Sequence, residues 1–321
     1  MGMKNILFVL LASAILVGCG NSVGGKVNLP AIQPLYADSI EVPPVLLSVT
    51  SLFTVGGDTL GVYQPQDDTL FSFWKLPECK FLFKAGVRGQ GPNDFLEMDK
   101  TFQGGQGSFK AFEIDAGRVK EIGFEGNALV TKKAHRLNVD QMLNRFIFLA
   151  DDTYCFFLLV GDSEFALYNE RDGMKPFGRY PDLINKKPDD LDVFTYNKLT
   201  LAHPDGSKFA AFYCYLKMCR IYGKDGSLLK EVYLKGPEEL ENGQRKFYYY
   251  NAPYAAGDYI YILAHDEEEN VLEVWNWDAE MVARYSLDKA DINRIMVYGK
   301  KIYGFSKINE SIVYTFELND K

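Results

Sequence analysis

Polar turns followed by short, strongly apolar stretches recur along this chain. Within the stretches, apolar residues alternate with polar ones or run together over a few positions, and few segments carry the i, i+3, i+4 spacing of a helix. The turn-plus-strand units open at Asp58, Gly107, Asp152, Gly206, Gly257 and Gly299. A second strand and a hairpin turn follow, as in Arg220-Ile221-Tyr222 before Lys224-Asp225-Gly226 and Ala166-Leu167-Tyr168 before Arg171-Asp172-Gly173. Asp-Gly supplies the positive φ that a tight hairpin needs.

The units recur at roughly 40 to 55 residues, the length of a four-stranded propeller blade. Six of them predict an all-β fold, a six-bladed β-propeller; an irregular pair of β-sandwiches is the alternative. The last unit holds three credible strands, around Ile295, Ile302 and Val313. A propeller must close its ring, so the extended segment Ser39 to Val42 is expected to supply the missing outer strand, closing the ring with an N-terminal strand and removing an exposed edge.

Composition sharpens the class. The 20 Tyr and 23 Phe favour pleated, half-buried strands. The chain has 35 basic and 43 acidic residues, a formal charge of −8, with no basic stripe. That excludes a nucleic-acid partner and gives no electrostatic hold on anionic lipid.

Attachment to a membrane is nevertheless expected. After Lys4 comes an apolar run too short to span a bilayer, ending in Leu16-Val17-Gly18-Cys19. These residues resemble a bacterial lipobox, which implies that Cys19 is the lipidated residue and the new N-terminus. The expected organisation is a signal peptide over 1–18, a tether over 19–36 and the propeller over 37–321. Gly20, and the lack of acidic residues in Asn21-Ser22-Val23-Gly24-Gly25, imply by the same resemblance an outer-membrane lipoprotein facing the periplasm.

Two motifs carry a family resemblance. His203-Pro204-Asp205-Gly206-Ser207-Lys208-Phe209-Ala210 resembles the Pro-Asp-Gly-Lys-Leu-Ala turn and strand of TolB-type blades. Gly86-Val87-Arg88-Gly89-Gln90-Gly91-Pro92-Asn93-Asp94-Phe95 is similar to the Gly-x-Gly-Pro-x-Glu-Phe signature of TolB-like six-bladed propeller lipoproteins, with Asp94 in place of Glu. The resemblance implies a fold and a compartment but no chemistry.

Candidate chemistry is sparse. Gly89-Gln90-Gly91-Pro92 lacks the helix start and Lys-Ser/Thr pair of a phosphate loop and reads as an inter-blade turn, with Arg88 and Asp94 as candidate ligand contacts. His135, His203 and His265 stand alone, so no metal and no cofactor are expected. Paired carboxylates at Asp67-Asp68, Asp151-Asp152 and Asp189-Asp190 lie in turns. The aromatic run after Arg245 offers Tyr248 and Tyr250 as stacking faces beside a cation, suited to a sugar or peptide. Convergence of the blade entries would place Arg88, Arg245, Tyr248 and Tyr250 on one surface. Cys214 and Cys219 bracket four residues between two strands, a candidate disulfide.

The sequence therefore reads as an anchored, non-catalytic platform for a glycan, peptide or partner protein. The competing reading is a glycan hydrolase or lyase using carboxylates and Tyr or Arg around the central channel.

Overall fold

A strand covered on both faces need not alternate, and this separates the middle strands of each sheet from the rims. Leu70 to Trp74 are buried without interruption, as is the whole of Lys217–Gly223. The outer strand Leu228–Lys235, covered on one side only, is mostly exposed. The computed structural model describes residues 29–46, 48–139, 144–184, 191–237, 243–266, 269–289 and 291–318. Cys19 and the Asp189-Asp190 pair lie outside them.

Among the described residues the strands form six sheets. Blade 1 is Ser51–Thr54, Thr59–Tyr63, Thr69–Lys75 and Lys80–Val87, and blade 2 is Met98–Gly104, Ser108–Glu113, Arg118–Glu125 and Ala128–Arg136. Blade 3 is Asn144–Phe148, Tyr154–Phe157, Ser163–Asn169 and Gly173–Arg179, and blade 4 is Lys198–Ala202, Lys208–Tyr213, Lys217–Gly223 and Leu228–Lys235. Blade 5 is Tyr254–Ala256, Tyr259–Asp266, Glu269–Asn276 and Met281–Leu287; blade 6 begins with Ile292–Tyr298, Lys301–Ser306 and Ile312–Glu317. The first strand of each blade is innermost, and these strands neighbour one another in a closed ring. The fold is a six-bladed β-propeller.

Ring closure follows the expectation. Asp38–Glu41 pairs antiparallel with Ile312–Glu317, setting Ser39 opposite Tyr314 and Ile40 opposite Val313, and completes blade 6. A feature not foreseen is the preceding strand Ile32–Leu35, which adds in parallel to Met281–Leu287 as a fifth strand of blade 5. The Ala37 N–H donates to Asp288 Oδ1 at 3.0 Å between the two strands. One N-terminal segment thus covers the edges of two adjacent blades.

The core is six layers, one per blade interface. Phe53, Phe71, Phe95 and Phe109 fill the layer between blades 1 and 2, and Phe165, Phe209 and Tyr222 the layer between 3 and 4. Burying a side chain of this size contributes about 1.5–3 kcal/mol.

The expected disulfide is not formed. Cys214 and Cys219 are free, buried thiols. The hairpin register sets Cys219 opposite Phe212, while Cys214 lies beyond the end of its strand, so the two cysteines are offset rather than facing. Burial pushes the Cys214 thiol up to about 12, which keeps it protonated and unreactive at neutral pH.

Candidate functional site

The hairpin turns joining first to second and third to fourth strands occupy one face of the ring, the hairpin face, and the turns joining second to third strands share the other face with the inter-blade connections. Arg88 and Asp94 lie in the connection from blade 1 to blade 2, and Arg245, Tyr248 and Tyr250 in the connection from blade 4 to blade 5. They share a face but sit across the ring from one another, so the structure does not gather them. Arg88 is exposed and donates through Nη2 to the Pro65 carbonyl. Asp94 staples its own loop, accepting from Gly91 N–H at 3.0 Å. Tyr248 is 2% exposed in the layer between blades 4 and 5, and its hydroxyl donates to Gly236 O at 2.8 Å, so it is a core residue. Tyr250 is half-buried against His265, ring centroids 5.0 Å apart.

Two of the cavities among the described residues gather charged side chains from several blades. The larger, about 700 Å³, opens on the hairpin face around blade 3. Its walls come from three blades: Lys133 and His135 of blade 2, the turns Asp151-Asp152 and Glu170-Arg171-Asp172 of blade 3, and Lys224-Asp225 of blade 4. Asp151 and Asp152 both have positive φ, 59° and 47°, as a two-residue hairpin turn requires. Their carboxylates diverge to neighbouring blades, Asp151 to Lys224 and Asp152 to Lys110 at 3.1 Å. The Tyr154 hydroxyl lies 3.1 Å from His135 Nε2 in the same wall, and Lys175 adds a further cation.

The second cavity, about 280 Å³, lies on the propeller axis and is lined by the inner strands of all six blades. Its charged lining is Lys100 and Arg294, with His203 toward the hairpin end. The Arg294 guanidinium ties three blades together, donating from Nε to Thr50 O at 2.8 Å and from Nη1 to Asn251 Oδ1 at 2.8 Å. Ser51 Oγ donates to Lys100 O, so the start of the blade 1 inner strand touches both cationic residues. Asp99, next to Lys100, is buried between blades 2 and 3, and accepts from Thr101 N–H at 2.9 Å. Burial pushes its carboxyl up, against backbone N–H groups of Phe146, Thr101 and Arg145 that favour its charge.

Sequence reading picked out Asp151 and Asp152 only as a turn pair, and missed Lys100, Lys133, Lys175 and Arg294. Single cations within strands carry no spacing signal.

His203 to Ser207 form a hydrogen-bonded turn, with Gly206 N–H donating to His203 O at 2.8 Å. The Asp205 carboxylate accepts from Ser207 N–H at 2.8 Å and lies 2.6 Å from His203 Nδ1. Hydrogen bonds from the Ser207 side chain and backbone, with the His203 contact, hold its carboxyl at about 2, below the ordinary 3.8. A depressed folded-state value stabilises the protein above about pH 4, and that contribution is lost as pH falls through 2. Discounted for exposure, the loss is about 1 kcal/mol, and Asp205→Asn should flatten this segment of the stability curve in acid titrations.

No family model matches the sequence, and no curated protein does. Among solved structures, a member of the DUF4221 family from Bacteroides vulgatus superposes with TM-score 0.63 at 12% identity, covering 88% of this chain and 97% of its own. A protein of Bacteroides fragilis described as exported superposes with TM-score 0.56 at 9% identity, covering 92% of this chain and 98% of its own. At such identities these likenesses speak for the architecture, and the chain is a six-bladed β-propeller of the shape found in those two bacterial proteins.

Proposed function

We propose that this chain is a TolB-like lipoprotein, anchored through Cys19 to the periplasmic leaflet of the outer membrane, whose propeller is a non-catalytic binding platform. The lipobox-like Leu16-Val17-Gly18-Cys19 supports the anchor, and the described exported status of the Bacteroides fragilis neighbour agrees with it. The observation that carries the binding role is the cleft of about 700 Å³ around blade 3. Its walls interleave Lys133, Lys175 and Lys224 with Asp151, Glu170 and Asp225, a polar, mixed-charge surface on rigid hairpins. Such a surface fits a peptide, a polar glycan or a partner's surface loop better than an apolar ligand.

The enzymatic reading is weaker. Hydrolysis of a glycan needs two facing carboxylates, and the axial cavity has none in its described lining. Burial pushes the Tyr254 phenol up to about 12, so at neutral pH it holds its proton and is a poor base.

Glycan and peptide arrays probed with the full chain in neutral detergent test the platform. Bound ligands should be lost in Lys133→Glu/Lys175→Glu while the melting temperature stays within a few degrees. Undiminished binding by that folded variant would remove the cleft from the site. For the anchor, an alkynyl fatty acid should label the wild type and not Cys19→Ser; equal labelling of both would refute lipidation at this thiol.

A further inference from the structure

We propose that the axial cavity is a second site, for a small oxyanion-bearing ligand of about monosaccharide size, held by Lys100 and Arg294. The first support is a contrast with three lysines buried between blades. Lys120 meets Glu113 at 3.0 Å, Lys198 meets Glu164 at 2.6 Å and Lys217 meets Glu273 at 3.1 Å, each pair almost wholly buried. On the axis, by contrast, Lys100 and Arg294 make no ion pair among the described residues, and no carboxylate is among the described residues lining their cavity.

The second support is the contrast with the whole chain, whose formal charge is −8. A cationic concavity inside an acidic body focuses field on an incoming anion. The third is an unmet polar group beside Arg294. Asn251 is 8% exposed; its Oδ1 accepts from the guanidinium, and its buried Nδ2 finds no acceptor. Arg294 already donates to three neutral oxygens, of Thr50, Asn251 and Asn293, and an oxyanion beside it would add the charged acceptor that it and the unmet Asn251 Nδ2 lack. Guanidinium and ammonium groups both suit carboxylate, sulfate or phosphate. A volume of about 280 Å³ admits one sugar ring rather than a chain. Thr50, Thr101 and Thr200 line the cavity from blades 1, 2 and 4 and offer hydroxyl oxygens to the neutral part of such a ligand.

This site is separate from the blade 3 cleft and stands whether or not that cleft binds. Calorimetric titration of the full chain in neutral detergent, with glucuronate, glucose 6-phosphate, inorganic sulfate and glucose, tests it. At least one anionic probe should saturate, with affinity falling as salt is raised, and glucose should not bind. Glucuronate or the phosphosugar winning identifies the oxyanion, and sulfate binding as tightly as either reduces the ligand to the bare anion within the same site. Lys100→Gln should weaken the binding at least ten-fold, Lys100→Arg should retain it, and the cleft variant Lys175→Ala should leave it unchanged. Lys100 is exposed and bears no structural contact through its ammonium, so these variants should fold. The proposal is overturned if no anionic probe saturates, if glucose binds as well as the anions, or if Lys100→Gln binds like the wild type.

Discussion

Glu164→Ala is expected to destabilise the propeller by about 3–5 kcal/mol, the cost of leaving buried charges without their partner. Glu164 is fully buried between blades 3 and 4. It accepts from Lys198 Nζ at 2.6 Å, from the Tyr213 hydroxyl at 2.7 Å and from Arg220 Nη1 at 2.5 Å. Arg220 keeps a second partner in Glu231, Nε to Oε2 at 2.6 Å, but Lys198 has no other carboxylate among the described residues. Burial already pulls the Lys198 ammonium below its ordinary range while Glu164 props it up. Removing the glutamate strands that charge. The loss should therefore be largely recovered in Glu164→Leu/Lys198→Met, where the pair is replaced by apolar groups of similar volume. Denaturant unfolding of the three proteins measures this. A single variant within about 1 kcal/mol of the wild type would show the network to be incidental.

Gly104→Ala should be comparably damaging, about 3 kcal/mol or more, for a steric reason. A Cβ at Gly104 would sit 1.7 Å from the carbonyl oxygen of Thr54, the last residue of the neighbouring inner strand. The obstacle is backbone, so no rotamer change relieves it. Blades 1 and 2 could accommodate the methyl only by separating at the axis. Gly105→Ala is the control, because its Cβ would meet nothing closer than 3.4 Å, and its expected cost is about 1 kcal/mol or less. Equal melting temperatures for the two variants would mean that the inner strands are not packed as described.

The two faces of the problem were unequally legible in the sequence. Asp225-Gly226 and Asp172-Gly173 announce hairpins because the requirement for positive φ is met by the turn residues themselves. The shortage of strands after Ile292 made the contribution of Asp38–Glu41 readable as well, since a blade lacking an outer strand needs a donor. Ile32–Leu35 gave no such warning, because its parallel pairing to residues about 250 positions away leaves no local pattern. Tyr248 illustrates the same limit at the candidate site. An aromatic run beside two cations has the composition of a binding surface, and only packing against Trp275, Ile260 and their neighbours makes it core.

Alternation, turn chemistry and a repeat near the length of a blade were enough, by themselves, to determine an all-β chain of six blades closed by its own N-terminal segment. These are properties of neighbouring residues, and strand formation and hairpin geometry depend on neighbours. Tertiary structure alone decided that Cys214 and Cys219 stay apart, since Cys219 faces Phe212, two residues short of Cys214. It alone decided that Arg88 and Tyr248 lie across the ring from each other. It also decided that Lys133, Asp151, Arg171 and Lys224 converge on one cleft, while Lys100 and Arg294 meet on the axis without a carboxylate. Both cavities are assembled from residues on different blades, and the ring that brings them together is a long-range arrangement with no counterpart in local spacing.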